Sequence, residues 1–339
     1  MIEKLWFQSH WLGIVLWPLL RPLSALYGWI VRKKRRTFLE HPEQSYRAPC
    51  PVIVVGNLTA GGNGKTPVVI WLVEALQQQG LSVGVVSRGY GGKAPHYPYL
   101  VDAQTATAIA GDEPVLIAKR TGASVAVAPK RSQAIEAILA QQPVDVIITD
   151  DGLQHYAMAR DIELVVVDGM RRFGNGHYMP QGPMRESEAR LSSVDYVICN
   201  GGQAMPGEYA MQLAPQAMIN VKTGERVTIA NFLAQHRQAV AMAGIGHPPR
   251  FFNTLKQLGF SLLSCHPFVD HQSVSPETLN GLVDEQTPLL MTEKDAVKYQ
   301  ECSQANWWYL AVDAQFEQSM APLLAHVMHC KEEYGSSSI

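Results

Sequence analysis

At 339 residues, 47% of them hydrophobic and 17% charged, the chain is long for one compact domain and suits two, each with ample material for a buried core. A net charge of −2 supplies no global pull toward nucleic acid. Cys50, Cys199, Cys265, Cys302 and Cys330 make no C-x-x-C pair and the histidines show no H-x-x-x-H spacing, which argues against a disulfide framework, a zinc ribbon and a zinc hydrolase, and fits a reducing compartment.

The first predicted element is the compositional exception. Leu5 to Val31 is mostly apolar, with Trp6, Trp11, Trp17, Tyr27 and Trp29 spread through it, and Arg32-Lys33-Lys34-Arg35-Arg36 follows at once. A cleaved signal peptide has the reverse order of charge and apolar run. His10, Pro18, Arg21 and Pro22 interrupt the roughly 20 apolar residues that a plain spanning helix needs. Tryptophan and tyrosine favour the membrane interface, and a basic cluster favours anionic headgroups. Residues 1–36 are therefore expected to form a membrane-associated helix, interfacial or shallowly inserted, with the body on the cytoplasmic side where the basic residues lie. A helix packed on the protein's own body is the alternative, which apolar periodicity alone leaves open.

From Pro51 onward, short β-branched runs alternate with helical stretches. Strands are predicted at Val52–Val55, Ser82–Val86, Ser124–Ala128, Val144–Thr149, Leu164–Val167 and Tyr196–Cys199. Helices are predicted at Val68–Gln78, Val115–Arg120 and Lys130–Gln141. This alternation implies a mostly parallel sheet with helices on both faces, whose strand C-termini share one edge where ligands bind. Gly201–Pro206 reads as a break and the stretch to about Ala230 as irregular. A smaller α/β block follows, with strands at Ala239–Ala243, Leu289–Thr292 and Trp308–Val312 and an amphipathic helix carrying Phe251, Phe252, Leu255 and Leu258. The expected domains are thus a nucleotide-binding domain over 37–205 and a smaller C-terminal domain over 206–333, with Tyr334–Ile339 a disordered tail.

Thr59-Ala60-Gly61-Gly62-Asn63-Gly64-Lys65-Thr66 lies between a predicted strand and a predicted helix, with Pro67 in the first turn. In such a loop, glycines let backbone N–H groups approach a polyphosphate, the lysine neutralises the β/γ-phosphates, and the Ser/Thr hydroxyl ligates Mg²⁺. The strict pattern wants glycine at position 59, and this chain has threonine. A metal-holding carboxylate is expected at the end of a neighbouring strand, and Asp150-Asp151-Gly152 supplies two, with Gln154 and His155 in the same loop. Gly111-Asp112-Glu113-Pro114 opens a helix, so its acids suit either a helix N-terminus or chemistry. Asp270-His271 is open in the same way, since a loop Asp-His pair serves equally as surface polarity or as a proton acceptor. Arg88 in Ser87-Arg88-Gly89-Tyr90-Gly91-Gly92 and Arg171 in Arg171-Arg172-Phe173 bring positive charge suited to an anionic substrate.

Taken together, GNLTAGGNGKTP (Gly56–Pro67), SRGYGG (Ser87–Gly92), GDEP (Gly111–Pro114), DDGLQH (Asp150–His155), AGIGHPPRFF (Ala243–Phe252), FVDH (Phe268–His271) and TEKDAVK (Thr292–Lys298) resemble the tetraacyldisaccharide 4'-kinase family in one order over nearly the whole chain. The resemblance implies transfer of the ATP γ-phosphate to the 4'-hydroxyl of a tetraacyl glucosamine disaccharide 1-phosphate, giving lipid IV-A, at the inner membrane. It implies Asp112 and His271 as a catalytic dyad, Asp150 and Asp151 as the paired aspartates, and Glu113 as a further Mg²⁺ contact. Many relatives carry a second histidine where this chain has Gln272, so no role carries over to that position. Residues 59–66 are then expected to bind ATP; Thr66, Glu113, Asp150 and Asp151 to bind Mg²⁺; and Arg88, Tyr90, Gln154, His155 and Arg171 to bind substrate. Asp112 is expected to take the hydroxyl proton with His271 orienting it, and no nucleic acid or obligate protein partner is expected.

Two rival readings stand beside this one: a membrane-associated P-loop ATPase or nucleotide switch, and a tethered binder that retains ATP without chemistry. A GTPase normally offers N/T-K-x-D, and in Thr292-Glu293-Lys294-Asp295 the spacing fails.

Overall fold

The computed structural model describes residues 2–8 and 11–336; His10 and the tail residues 337–339 lie outside the described residues. In chain order the elements are α1 (Ile2–Phe7), α2 (Trp11–Glu40), β1 (Val52–Gly56), α3 (Lys65–Gln78), β2 (Val83–Ser87), β3 (Tyr99–Val101), α4 (Thr107–Ala110), α5 (Asp112–Thr121), β4 (Ser124–Val127), α6 (Arg131–Gln141), β5 (Val146–Asp150), β6 (Ile162–Asp168) and β7 (Tyr196–Asn200). There follow β8 (Tyr209–Asn220), β9 (Arg226–Val227), α7 (Ile229–Gln235), β10 (Gln238–Ala243), α8 (Pro248–Gln257), β11 (Ser261–Pro267), α9 (Pro276–Asn280), β12 (Leu289–Thr292), α10 (Glu293–Ala296), β13 (Trp307–Phe316) and α11 (Ala321–Ser336).

β1, β2, β4, β5, β6 and β7 are parallel neighbours, and β3 closes the edge antiparallel to β4. Every residue of β1, β2, β5 and β6 is buried, as both faces are covered by helices and loops. That burial is why these strands read as continuous Val/Ile runs and could be placed from sequence to within a residue or two. One core cluster joins Ile53, Val55 and Ile148 to Val69, Leu72 and Leu76 of α3 and to Leu323 and Val327 of α11. On the opposite face Val54 and Ile147 pack with Ile135 and Ile138 of α6.

Two expectations fail here for one reason. The stretch after Gly201 is not irregular, and the second block does not form a sheet of its own. Instead β8 runs for 12 residues: Tyr209–Met211 pair with Ile198–Asn200 of β7, and Met211–Asn220 pair antiparallel with β13. β10, β11 and β12 continue the sheet, which counts 13 strands among the described residues. The strand was hidden because Tyr-Ala-Met-Gln-Leu-Ala-Pro-Gln-Ala lacks β-branched alternation and contains Pro215. That proline sits beside a register shift, with Val312 opposite Pro215 and Ala311 opposite Ala217, so the irregularity absorbs the missing N–H. β3 and β11 were also missed. The tail expectation is corrected at Tyr334–Ser336, which belong to α11; the Tyr334 hydroxyl bonds Asp161 and receives the Arg47 guanidinium.

α2 runs straight through the basic cluster to Glu40, with Pro18 and Pro22 inside it. Its inner face packs on the body: the Ser24 hydroxyl donates to Tyr178 O at 2.7 Å, Gly28 lies against the Tyr178 ring, and Phe38 stacks at 5.3 Å from Tyr156. Its outer face exposes Trp11, Val15, Leu19, Leu23, Leu26 and Ile30 at helical spacing. Among the described residues no helix is long and apolar enough to cross a membrane.

Candidate active site

Because β13 pairs antiparallel with β8, the β10–β12 block runs opposite to the β1–β7 block, and the loops after β1, β2, β5, β6 and β7 face those after β10, β11 and β12 across the seam. They enclose a cleft of about 710 Å³ lined by Gly61–Pro67, Tyr90, Glu113, Asp151, Asp270, His271 and Lys294, among others.

The loop after β1 is held from several sides. The Asn63 side-chain amide donates to the Thr59 hydroxyl at 2.9 Å, so the threonine standing where the strict pattern has glycine braces the loop. Asn200, at the end of β7, donates to Asn63 O at 2.9 Å. Gly64 has φ +89 and faces that same Asn200 amide, so a side chain there is excluded by both backbone and space. Arg171 donates from Nη2 to Gly62 O at 3.0 Å and from Nη1 to Gly246 O at 3.3 Å, while its Nε pairs with Asp168 at 2.9 Å. It thus joins the β1 and β10 loops and is bound into the protein.

Asp112 and His271, 159 residues apart, meet: Nδ1 of His271 lies 3.0 Å from Asp112 Oδ1. Asp112 is buried at the start of α5 and does not line the cleft; His271 does, edge-on to the Tyr90 ring at 4.9 Å. His271 has φ +61, a strained conformation for a non-glycine residue, and Gln272 braces the turn by accepting from Val269 N–H at 3.2 Å. Burial opposes ionisation of Asp112, but the His271 hydrogen bond and the Lys294 and Lys298 ammonium groups outweigh it and hold the carboxyl at about 2. For His271 burial pulls the pKa down, and Asp112 and Asp270 reverse that, leaving it raised.

Lys294 was unassigned by sequence reasoning, yet it sits at the centre of this group. Its Nζ is 2.9 Å from Glu113, 3.3 Å from Asp270 and 3.4 Å from His271 Nε2. Burial would discharge it, but the surrounding carboxylates more than compensate and raise its pKa. The TEKDAVK block was visible in the sequence; what hid its role was that its partners lie on α5 and in the β11 loop.

The paired aspartates after β5 differ sharply. Asp151 pairs with Arg185 at 2.8 Å and Lys65 at 3.5 Å, and despite burial these cations hold its carboxyl well below the usual range. Asp150 is fully buried with neither oxygen hydrogen-bonded, and burial together with the charges of Glu113 and Asp151 pushes its pKa up. Thr66 is buried at the start of α3. Among the described residues no three His, Cys, Asp or Glu side chains are grouped to hold a metal by themselves.

Four predicted substrate residues stand outside the cleft lining: Arg171, bound between two loops as described above, and Arg88, Gln154 and His155. Arg88 is exposed on the loop after β2. Gln154 donates to Asn57 O and to Glu186, and His155 Nε2 accepts from the Arg131 N–H at 3.4 Å. Burial, then Arg131, Arg160 and Arg88, depress the His155 pKa to about 4. Arg131, which sequence reasoning missed, is buried with its Nε lacking a partner.

The family model for "Tetraacyldisaccharide-1-P 4'-kinase" matches residues 16–329. The chain belongs to this family. The tetraacyldisaccharide 4'-kinase of Photobacterium profundum is 56% identical over 345 aligned positions, covering all of this chain and 99% of that protein. The Vibrio cholerae O395 kinase is 55% identical over 342 positions, covering both chains in full. Among solved structures, LpxK from Aquifex aeolicus in complex with ATP superposes with a TM-score of 0.77 at 25% identity, covering 94% of this chain and 99% of that one. The kinase fold expected from the sequence, with its P-loop-type, mostly parallel sheet and helical N-terminus, is therefore the fold of this family.

Proposed function

We propose that this protein is an ATP-dependent lipid kinase of lipid A biosynthesis, transferring the γ-phosphate to the 4'-hydroxyl of a tetraacyl glucosamine disaccharide 1-phosphate. The observation that carries the reading is the Asp112–His271 contact, which puts a proton acceptor in the same cleft as a phosphate-binding loop. Full-length relatives that bear the name of this activity support it.

Lys65 and the amides of Gly61–Gly64 hold the ATP phosphates, Lys65 exchanging its Asp151 contact for them. The acceptor hydroxyl gives its proton to the dyad. The roles within the dyad reverse the sequence expectation: His271 faces the cleft with a raised pKa, whereas Asp112 is buried behind it and a very weak base. His271 Nε2 takes the proton, and Asp112 orients the ring and stabilises the imidazolium.

The residues present fit Mg²⁺: an unpartnered, fully buried carboxylate at Asp150 lies in the cluster with Glu113 and Lys65, beyond the loop that ends in Thr66. Thr66 and Asp150, with Glu113 and Asp151, would hold the ion together with the nucleotide phosphates. When bound, the ion neutralises charge on the transferring phosphoryl group. Tyr90 at the cleft mouth, with Arg88, Arg131 and His155 beside the Asp151 loop, forms the acceptor side. The exposed apolar stripe of α2 lies in the headgroup region of the inner membrane, keeping the cleft beside lipid on the cytoplasmic side.

Incubation with γ-labelled ATP and purified acceptor lipid tests the reading. Label is expected in the lipid; release of free phosphate alone would mark an ATPase, and neither product would mark a binder.

A further inference from the structure

One buried carboxylate, Asp295, reaches two parts of the site at once. It is 1% exposed and lies in α10, directly after Lys294. Its Oδ2 accepts from the Gly244 N–H at 3.0 Å and from the Thr292 hydroxyl at 2.6 Å. Its Oδ1 accepts from Lys298 Nζ at 3.0 Å. The Gly244-Ile245-Gly246 turn that it grips is the turn whose backbone touches Gly62 in the phosphate loop: a methyl added at Gly246 would run into the Gly62 amide, and Arg171 bonds both loops. On the other side, Lys298 Nζ lies 3.7 Å from Asp112 Oδ2, the oxygen that His271 does not hold and that has no hydrogen bond.

Lys298 is 7% exposed, so its ammonium has little contact with water and its neighbours there are these two carboxylates. A lysine confined in this way has given up its hydration, which only the carboxylates beside it offset. It does more than fill the interior, because it adds to the contacts that set the rotation of the Asp112 carboxylate: Lys294 Nζ lies 3.9 Å from the same Oδ2, and the Glu113 N–H donates to Oδ1 at 3.0 Å. With Oδ2 drawn to Lys298, Oδ1 stays on His271 Nδ1.

We propose that the Asp295–Lys298 pair is a positioning device for phosphoryl transfer, holding Asp112 against His271 and tying that alignment to the turn that packs on the phosphate loop. The inference rests on the kinase reading above. Lys298 touches no substrate in this scheme; it acts through Asp112.

The test uses full-length protein in detergent micelles, with turnover on the acceptor lipid and ATP affinity measured separately by equilibrium binding. Lys298→Gln is expected to lower kcat at least tenfold while KM for both substrates and the ATP Kd stay within about threefold, and Lys298→Arg is expected to recover most of the loss. Asp295→Asn keeps an oxygen for Gly244 and Thr292 but presents an amide to Lys298; it is expected to lower kcat similarly. The double variant Lys298→Gln/Asp295→Asn is then expected to be no worse than either single one, because the two act as a unit. Wild-type kcat in Lys298→Gln would overturn the proposal. So would losses that multiply in the double variant, or loss of ATP binding in the well-folded Arg variant, which marks a purely structural lysine. Should Lys298→Gln not fold, the Asp295→Asn and Lys298→Arg pair decides: a kcat defect in the first with recovery in the second supports it, and two equal defects overturn it. Absence of lipid phosphorylation by the wild-type chain would instead refute the kinase reading itself.

Discussion

At the residue scale, His271 takes the proton in the proposed mechanism and Asp112 orients it, an exchange of the duties that the sequence expectation gave the dyad. Asp112, at about 2, stays ionised throughout the working pH range, so its value lies in the charge it places beside His271. Since that charge raises the His271 pKa, the imidazole becomes neutral and able to accept a proton only above a raised threshold. Turnover is therefore expected to fall in acid through a pKa above the ordinary histidine value of about 6.5. Asp112→Asn removes the charge, so the acid limb of the kcat profile should move to lower pH while the plateau drops by roughly 10²-fold or more; Asp112→Ala should likewise abolish most turnover with ATP binding intact. An unshifted limb in Asp112→Asn would place the titrating group elsewhere. The phosphate loop and DDG were legible because each stands at a strand's end in an unusual local pattern, whereas the local patterns of Asp112 and His271 left their roles open and only the family resemblance paired them. Lys294 and Lys298 were not, because a lysine on a short helix or in the turn after it carries no local sign that carboxylates from α5 will fold onto it.

At the element scale, the Gly244–Gly246 turn and α2 do most to define what the cleft meets. Gly246→Ala pushes the turn off Gly62, so the KM for ATP is expected to rise at least tenfold with a smaller change in kcat, measured by ATP titration at saturating lipid. An unchanged KM would show that the two loops separate without consequence. Deletion of residues 1–31 removes the exposed stripe and is expected to move the protein from the membrane pellet to the supernatant on sedimentation with vesicles, with ATP affinity retained. The buried parallel strands of the first half were readable as apolar runs, since both their faces are covered. β8 was unreadable for the complementary reason: its side chains are half-buried, proline-broken and set by partners 100 residues away rather than by a local alternation.

At the scale of the whole molecule, the halves are joined by charge as well as by the sheet. Arg120 on α5 pairs with Glu293 of α10 at 2.8 Å and with Asp313 of β13, and lies 3.9 Å from Glu74 of α3. Glu293 is nearly buried, and burial leaves its pKa raised even with Arg120 beside it. Arg120→Met strips that charge of its partner and is expected to cost about 3 kcal/mol, read as a lower urea midpoint. The neighbouring Glu293→Gln, which removes the charge itself, should cost less. A larger loss in the glutamine variant would contradict this account of the cluster.

The seam strand also has a consequence for how the chain is made. β8 emerges from the ribosome able to pair Tyr209–Met211 with β7 and, shortly after, Met218–Ile219 with β9, but its main partner β13 begins at Trp307. Until β13 and then α11 follow, the edge of β8 that faces β13 stays open, with N–H and C=O groups in the form that other nascent chains can add to. Pro215 and the register shift beside it break that edge into two short runs, so the feature that concealed the strand from sequence reading also makes it a poor template for aggregation.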